Sequence, residues 1–135
     1  MKNTICLMSL TVIFLSFFST ANAQDDVEQL KRVLQGPINN AFHRWDDEWS
    51  VDEYIDESAV ISYFSESEYS TDQLWANGSF KVSRPWMGTI KIQFRAKFSI
   101  TDSGIYFQQL CYTDGSVEDE DCTDPSSYGL GFFGF

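Results

Sequence analysis

Ile90-Lys91-Ile92-Gln93-Phe94-Arg95-Ala96-Lys97-Phe98-Ser99-Ile100 alternates apolar and polar residues from end to end. Successive side chains on a strand point to opposite faces, so this pattern is a half-buried strand. Ile90, Ile92, Phe94, Ala96, Phe98 and Ile100 face inward; Lys91, Gln93, Arg95, Lys97 and Ser99 face outward. A strand of this length requires paired neighbours and a helix to cover its apolar side.

The neighbours lie on either side in the chain. Downstream, Thr101-Asp102-Ser103-Gly104 reads as a tight hairpin connection into a strand over 105–113. Both faces of that strand are mixed: Ile105, Phe107, Gln109 and Cys111 oppose Tyr106, Gln108, Leu110 and Tyr112. Such a strand is expected to be covered on both sides or to line a cavity. Upstream, Arg84-Pro85 ends a strand over 79–83, and Asn77-Gly78 before it is a turn signal. Residues 70–76 are expected to make one helical turn, and 65–72 a polar loop. The run 59–64 is short and β-branched, hence another strand. The end of the chain, 128–135, is expected to add a last strand.

The covering helix comes first. Val27, Leu30, Leu34, Ile38, Ala41, Phe42, Trp45 and Trp49 recur at intervals of three and four, one apolar stripe. Asp25 with Glu28 resembles a capping box. Gly36-Pro37 predicts a kink or a short break, because proline withholds a hydrogen bond and crowds the preceding turn. A second capping box, Ser50-Val51-Asp52-Glu53, predicts a short second helix over 50–57. The fold class is therefore α+β: a kinked helix and a short helix on a curved antiparallel meander of about four to five strands.

Residues 1–23 read as a secretory signal peptide. Lys2 is followed by an apolar run over 5–18 and by the small-residue site Ala21-Asn22-Ala23. The run is shorter than the ~20 residues a membrane span needs. Cleavage after Ala23 removes 23 of the 135 residues and leaves 112, a length for a single domain over 24–135. Lys2 is the only one of nine basic residues in the leader, so eight remain against twenty acids, a net charge of −12. That balance excludes a nucleic-acid binder and opposes anionic membrane surfaces. Cys111 and Cys122 are the two cysteines left, and an even count in an exported chain predicts a disulfide rather than a metal site. The expected location is periplasmic or extracellular.

The element order resembles the nuclear-transport-factor-2-like and cystatin-like α+β folds. The resemblance rests on the Trp45/Trp49 helix end, the short helix over 50–57, the strand over 59–64 and the long hairpin over 86–113. It implies a cone between helix and sheet, in which some members of the first superfamily bind small apolar molecules or catalyse proton transfers.

Chemistry-bearing residues are few. His43 is the only histidine, with Asp46 and Asp47 at helical spacing to orient it; a helix-surface pair is the plainer reading. Asp114, Glu118, Asp119, Glu120, Asp121 and Asp124 crowd one loop and offer the oxygen ligands calcium takes. Their spacing is not that of a helix-loop-helix calcium loop, so a solvated acidic loop is expected, with neither metal nor cofactor. The basic residues are segregated: Lys81, Arg84, Lys91, Arg95 and Lys97 fall on or beside two neighbouring strands. They can form a cationic stripe for an acidic partner or an anionic ligand, or simply a solvated sheet face. Trp75, Trp86, Phe132, Phe133 and Phe135 are more aromatic surface than a small core needs; core packing is the plainer reading and a partner groove the alternative. The sequence thus favours an exported, non-catalytic binding or accessory protein of the inhibitor or immunity type, using the sheet face and aromatic surface. The alternative is a small-molecule-binding or isomerase-like protein with an apolar cavity between helix and sheet.

Overall fold

A computed structural model describes residues 23–67, 72–113 and 120–134. The expected signal peptide up to residue 22, residues 114–119 of the acidic loop and Phe135 lie outside them. One helix, α1 (Ala23–Trp45), continues into a 3-10 turn, Asp46–Glu48. Strands β1 (Glu53–Tyr54), β2 (Val60–Glu66), β3 (Leu74–Arg84), β4 (Gly88–Ile100), β5 (Gly104–Thr113), β6 (Asp121–Thr123) and β7 (Phe132–Gly134) follow. A second 3-10 turn, Pro125–Tyr128, precedes β7. All pairings are antiparallel: β1 and β2 both flank β3, β4 and β5 follow, and β6 and β7 both pair with β5. The α+β class stands; the described residues form seven strands where four to five are expected and one α-helix where two are expected.

α1 runs through Pro37 without dividing. The carbonyl that Pro37 deprives of a donor belongs to Val33, which is 51% exposed, so water can take that bond. The helix buries Leu34, Ile38, Ala41, Phe42 and Trp45, the stripe read from the sequence. Its one buried polar residue, Asn39, is a fastener. The Asn39 amide donates to Gln35 O (2.8 Å) and Ala59 O (3.2 Å) and accepts from Ala59 N (2.9 Å) and the Tyr54 hydroxyl. Gln35 Oε1 accepts from Ile61 N (3.0 Å) beside it. These bonds clamp the helix to the start of β2.

The helix expected over 50–57 is absent. Glu53 and Tyr54 pair instead with Ser83 and Val82 of β3, and Ile55 N donates to Lys81 O at 3.0 Å. Asp52, expected in a capping box, holds Arg84 through two hydrogen bonds of 2.8 and 2.7 Å. Glu57 turns the chain with φ 62°. The open edge of β3 offered this segment more partners than one helical turn could.

β3 is longer than expected: of the helical turn expected over 70–76, residues 70–71 lie outside the described residues and 74–76 are strand, and no turn forms at Asn77-Gly78. Both segments lie inside the strand. Gly78 serves closeness: a Cβ there would meet Val60 O at 2.0 Å and the Phe94 ring at 2.9 Å. β2 crosses it beside a bulge between Ile61 and Tyr63. The mixed faces of β5 also come from a bulge, between Lys97 and Phe98 in the register with β4. Ile105 and Phe107 face the helix before it, Leu110 and Tyr112 after it. One extra residue switches the phase, so a single apolar face looks mixed in sequence. The inward residues of β4 are placed as read, and Phe42 meets Phe80 across the core with centroids 4.2 Å apart.

Cys111 and Cys122 are directly opposed on β5 and β6 and form a disulfide. Leu130, fully buried, and β7 close the far side of β5.

Candidate binding site

Beyond Trp45 the chain leaves the helix axis. The turn Asp46–Glu48 is fixed by Trp49 N donating to Asp46 O (3.0 Å) and by the Tyr128 hydroxyl donating to Glu48 Oε2 (2.6 Å). This swings Trp49 over the end of the sheet. Its ring stacks on Phe80 (5.9 Å, 15°) and meets Tyr112 edge-on (5.4 Å). Between Trp49 and the sheet opens a pocket of about 270 Å³, with Phe80, Val82 and Ile92 on one wall and Tyr112 and Asp121 on another. Ser50, Val51 and Asp52 form its lip. A recess of about 440 Å³ continues past that lip towards Asp46, Glu53, Ser83 and Pro85. Trp49 Nε1 is buried and has no hydrogen-bond partner among the described residues.

The carboxylates around the opening differ in state. The Arg84 hydrogen bonds hold Asp52 below the usual carboxylate range. Burial pushes Asp46 up, against the Tyr54 N–H bond (3.1 Å) that lowers it, and the charges of Glu53 and Asp47 push the same way as burial. Asp121 is exposed and faces Tyr112 across the β5–β6 pair. The Cys111–Cys122 bridge is the neighbouring cross-strand pair, so it fixes this wall.

The cationic stripe is partly assembled and partly neutralised. Lys81 and Lys91 are directly opposed and exposed on the outward face. Arg95 and Lys97 share that face, but Arg95 binds Glu120 through bonds of 2.7 and 2.8 Å. Arg95 lies 4.0 Å from the centroid of the Trp75 ring, and Lys97 Nζ lies 5.2 Å from it. Trp75 is only 6% exposed, covered by these cations. Arg84 is turned away, to Asp52. Trp86 is fully exposed at the β3–β4 turn, with φ 71°, beside exposed Met87. The face also carries a shallow groove of about 260 Å³ between Tyr63, Gln93 and Arg95.

His43 pairs with Asp56 (3.0 Å) at the surface, not with Asp46 or Asp47. The turn after Tyr54 brings Asp56 to it. In the acidic loop, Glu120 is taken by Arg95 and Asp124 by Ser126 N and Oγ (3.0 and 2.8 Å). Glu120 lies near both cysteines, but their sulfurs are bonded to each other and offer no thiolate. Phe132 packs on Tyr106 (4.4 Å) at the β5–β7 edge, and Phe133 is half-buried.

Sequence reading missed Trp49, Tyr112, Asp52 and Asp121 as members of one site. Trp49 falls in phase with the helical stripe, and the mixed faces of β5 are the one sequence signal for Tyr112. No protein-family model matches the chain, and no match is found among curated proteins or among solved structures.

Proposed function

We propose that this chain is an exported, non-catalytic binding protein that takes a small ligand into the pocket between Trp49 and the sheet. The carrying observation is that pocket itself: about 270 Å³, aromatic on two sides, with Tyr112 and Asp121 in its wall. It is concave and joins aromatic walls to a few polar groups, features that small-molecule sites share. The rest of the helix–sheet interface is filled by Phe42, Phe80, Phe94 and Phe98, so the binding space is the mouth and not a deep cone. Of the carboxylates at the mouth, Asp52 is engaged by Arg84, and His43 lies with Asp56. The cystine and the leader-like start support export.

The test is saturation-transfer NMR with a panel of small aromatic and alkyl compounds, run on wild type and on Val82→Phe, which fills the pocket floor. Binding by wild type that is lost in a folded Val82→Phe is the expected result. Equal binding by both refutes the assignment.

A second reading rests on Lys81, Lys91 and Trp86, exposed on the sheet and its tip. They suit an acidic protein partner. Co-purification with wild type and Lys81→Glu/Lys91→Glu, at low and high salt, tests it. An unchanged set of partners rejects it.

A further inference from the structure

The pocket's chemistry narrows its ligand, on the premise that it is the binding site. Three aromatic rings, Trp49, Phe80 and Tyr112, meet at one corner with centroids 5.9 and 5.4 Å apart. Aromatic faces carry the negative lobe of the ring quadrupole and attract cations, most strongly where water is displaced. The charges that line the pocket and the adjoining recess are all of one sign: Asp46, Asp52, Glu53 and Asp121, with no lysine or arginine among the lining residues. The neighbouring guanidinium, Arg84, is engaged by Asp52 through a bidentate pair and leaves three carboxylates to set the field. The basic residues Lys81, Lys91, Arg95 and Lys97 stand on the opposite face of the sheet. The net charge of the chain adds to the same potential, and a cleft of one sign with low-dielectric walls concentrates counter-ions.

We infer that the pocket selects a small organic cation, an alkylated ammonium whose methyl groups pack on Trp49 and Tyr112, the two partly exposed rings of this corner, while Asp121 balances its charge. A neutral ligand of the same shape gains the apolar contacts alone. An anionic one is repelled by the rim. An alkylated ammonium fits better than a bare one because its surface is apolar and its hydration weak, so it loses little on entering an aromatic corner.

The test uses three near-isosteric probes on the full folded protein: choline, 3,3-dimethylbutan-1-ol and 3,3-dimethylbutanoate. They share a three-methyl head and differ in charge. Binding is read from the Trp fluorescence and by calorimetry. Choline is expected to bind roughly tenfold or more tighter than the alcohol, the span of a desolvated cation–aromatic contact, and the butanoate weakest. Asp121→Asn, an exposed change, is expected to weaken choline several-fold and leave the alcohol unaltered. Equal affinity for choline and the alcohol overturns the charge selection while leaving the pocket as a binding site. Absence of binding by all three at ~10 mM overturns both the selection and the pocket assignment.

Discussion

Asn39→Ala removes the side chain that fastens the helix to the sheet, and its cost can be worked from the bonds. Gln35 O keeps its helical partner. Three groups lose theirs: Ala59 N–H, Ala59 C=O and the Tyr54 hydroxyl, around a residue that is 4% exposed. A buried group left unsatisfied costs about 1–3 kcal/mol, so the raw sum is roughly 3–9 kcal/mol. The space left by the amide admits one water, which can satisfy two of the three groups. One group then stays unsatisfied, and the net expectation is about 1–3 kcal/mol. Asn40→Ala, one residue on and exposed, should cost under about 0.5 kcal/mol. Urea unfolding followed by far-UV circular dichroism and by Trp fluorescence measures both, with an unchanged slope showing that the two-state comparison holds. A loss below about 1 kcal/mol for Asn39→Ala, or one equal to that of Asn40→Ala, refutes the fastening role.

Three further outcomes are expected. Phe94→Ala should cost about 3–5 kcal/mol and Gln93→Ala under about 0.5, since Phe94 is buried and Gln93 faces water; equal losses in urea titrations would mean the wrong strand phase. Burial raises the Tyr54 phenol from 10.0 to about 12, so its neutral form is the one the fold prefers. Stability from Tyr54 is therefore complete below pH 10 and is lost as pH rises from 10 through 12; Tyr54→Phe should flatten that alkaline decline relative to wild type in urea titrations at pH 8, 10 and 11. The double Cys111→Ser/Cys122→Ser variant should lose about 3 kcal/mol, the loop-closure value for a span of 11 residues; two freely alkylated thiols in unreduced wild type would remove the basis for this.

What was legible in the chain follows from how far each signal reaches. β4 declares itself because one face meets water and the other the helix, so its period is visible without knowing its neighbours. The helical stripe is legible for the same reason. β5 defeats that reading through a single extra residue, since the phase of its apolar face changes at the bulge. Asn77-Gly78 has turn composition, yet Gly78 is there because β2 passes too close for a Cβ, a fact that belongs to Val60 rather than to its own neighbours. The 50–57 segment carries a capping box whose Asp52 is claimed by Arg84, 32 residues away. The pocket is harder still. Trp49, Phe80, Tyr112 and Asp121 come from four separate elements, and nothing local in any of them announces the others.

Tyr112 and Asp121, which face each other in the pocket wall, are adjacent in the ladder to the cystine of Cys111 and Cys122. If the bridged and dithiol forms bind a ligand unequally, occupancy of the pocket and the state of that sulfur pair are two linked equilibria. A ligand that binds the bridged form tenfold better than the dithiol form must, by the same factor, make the bridge harder to reduce, a displacement of about 30 mV for a two-electron couple. The reverse also holds: a reducing surrounding favours release. On the proposed reading, the wall that shapes the site would couple ligand occupancy to the redox poise around the protein.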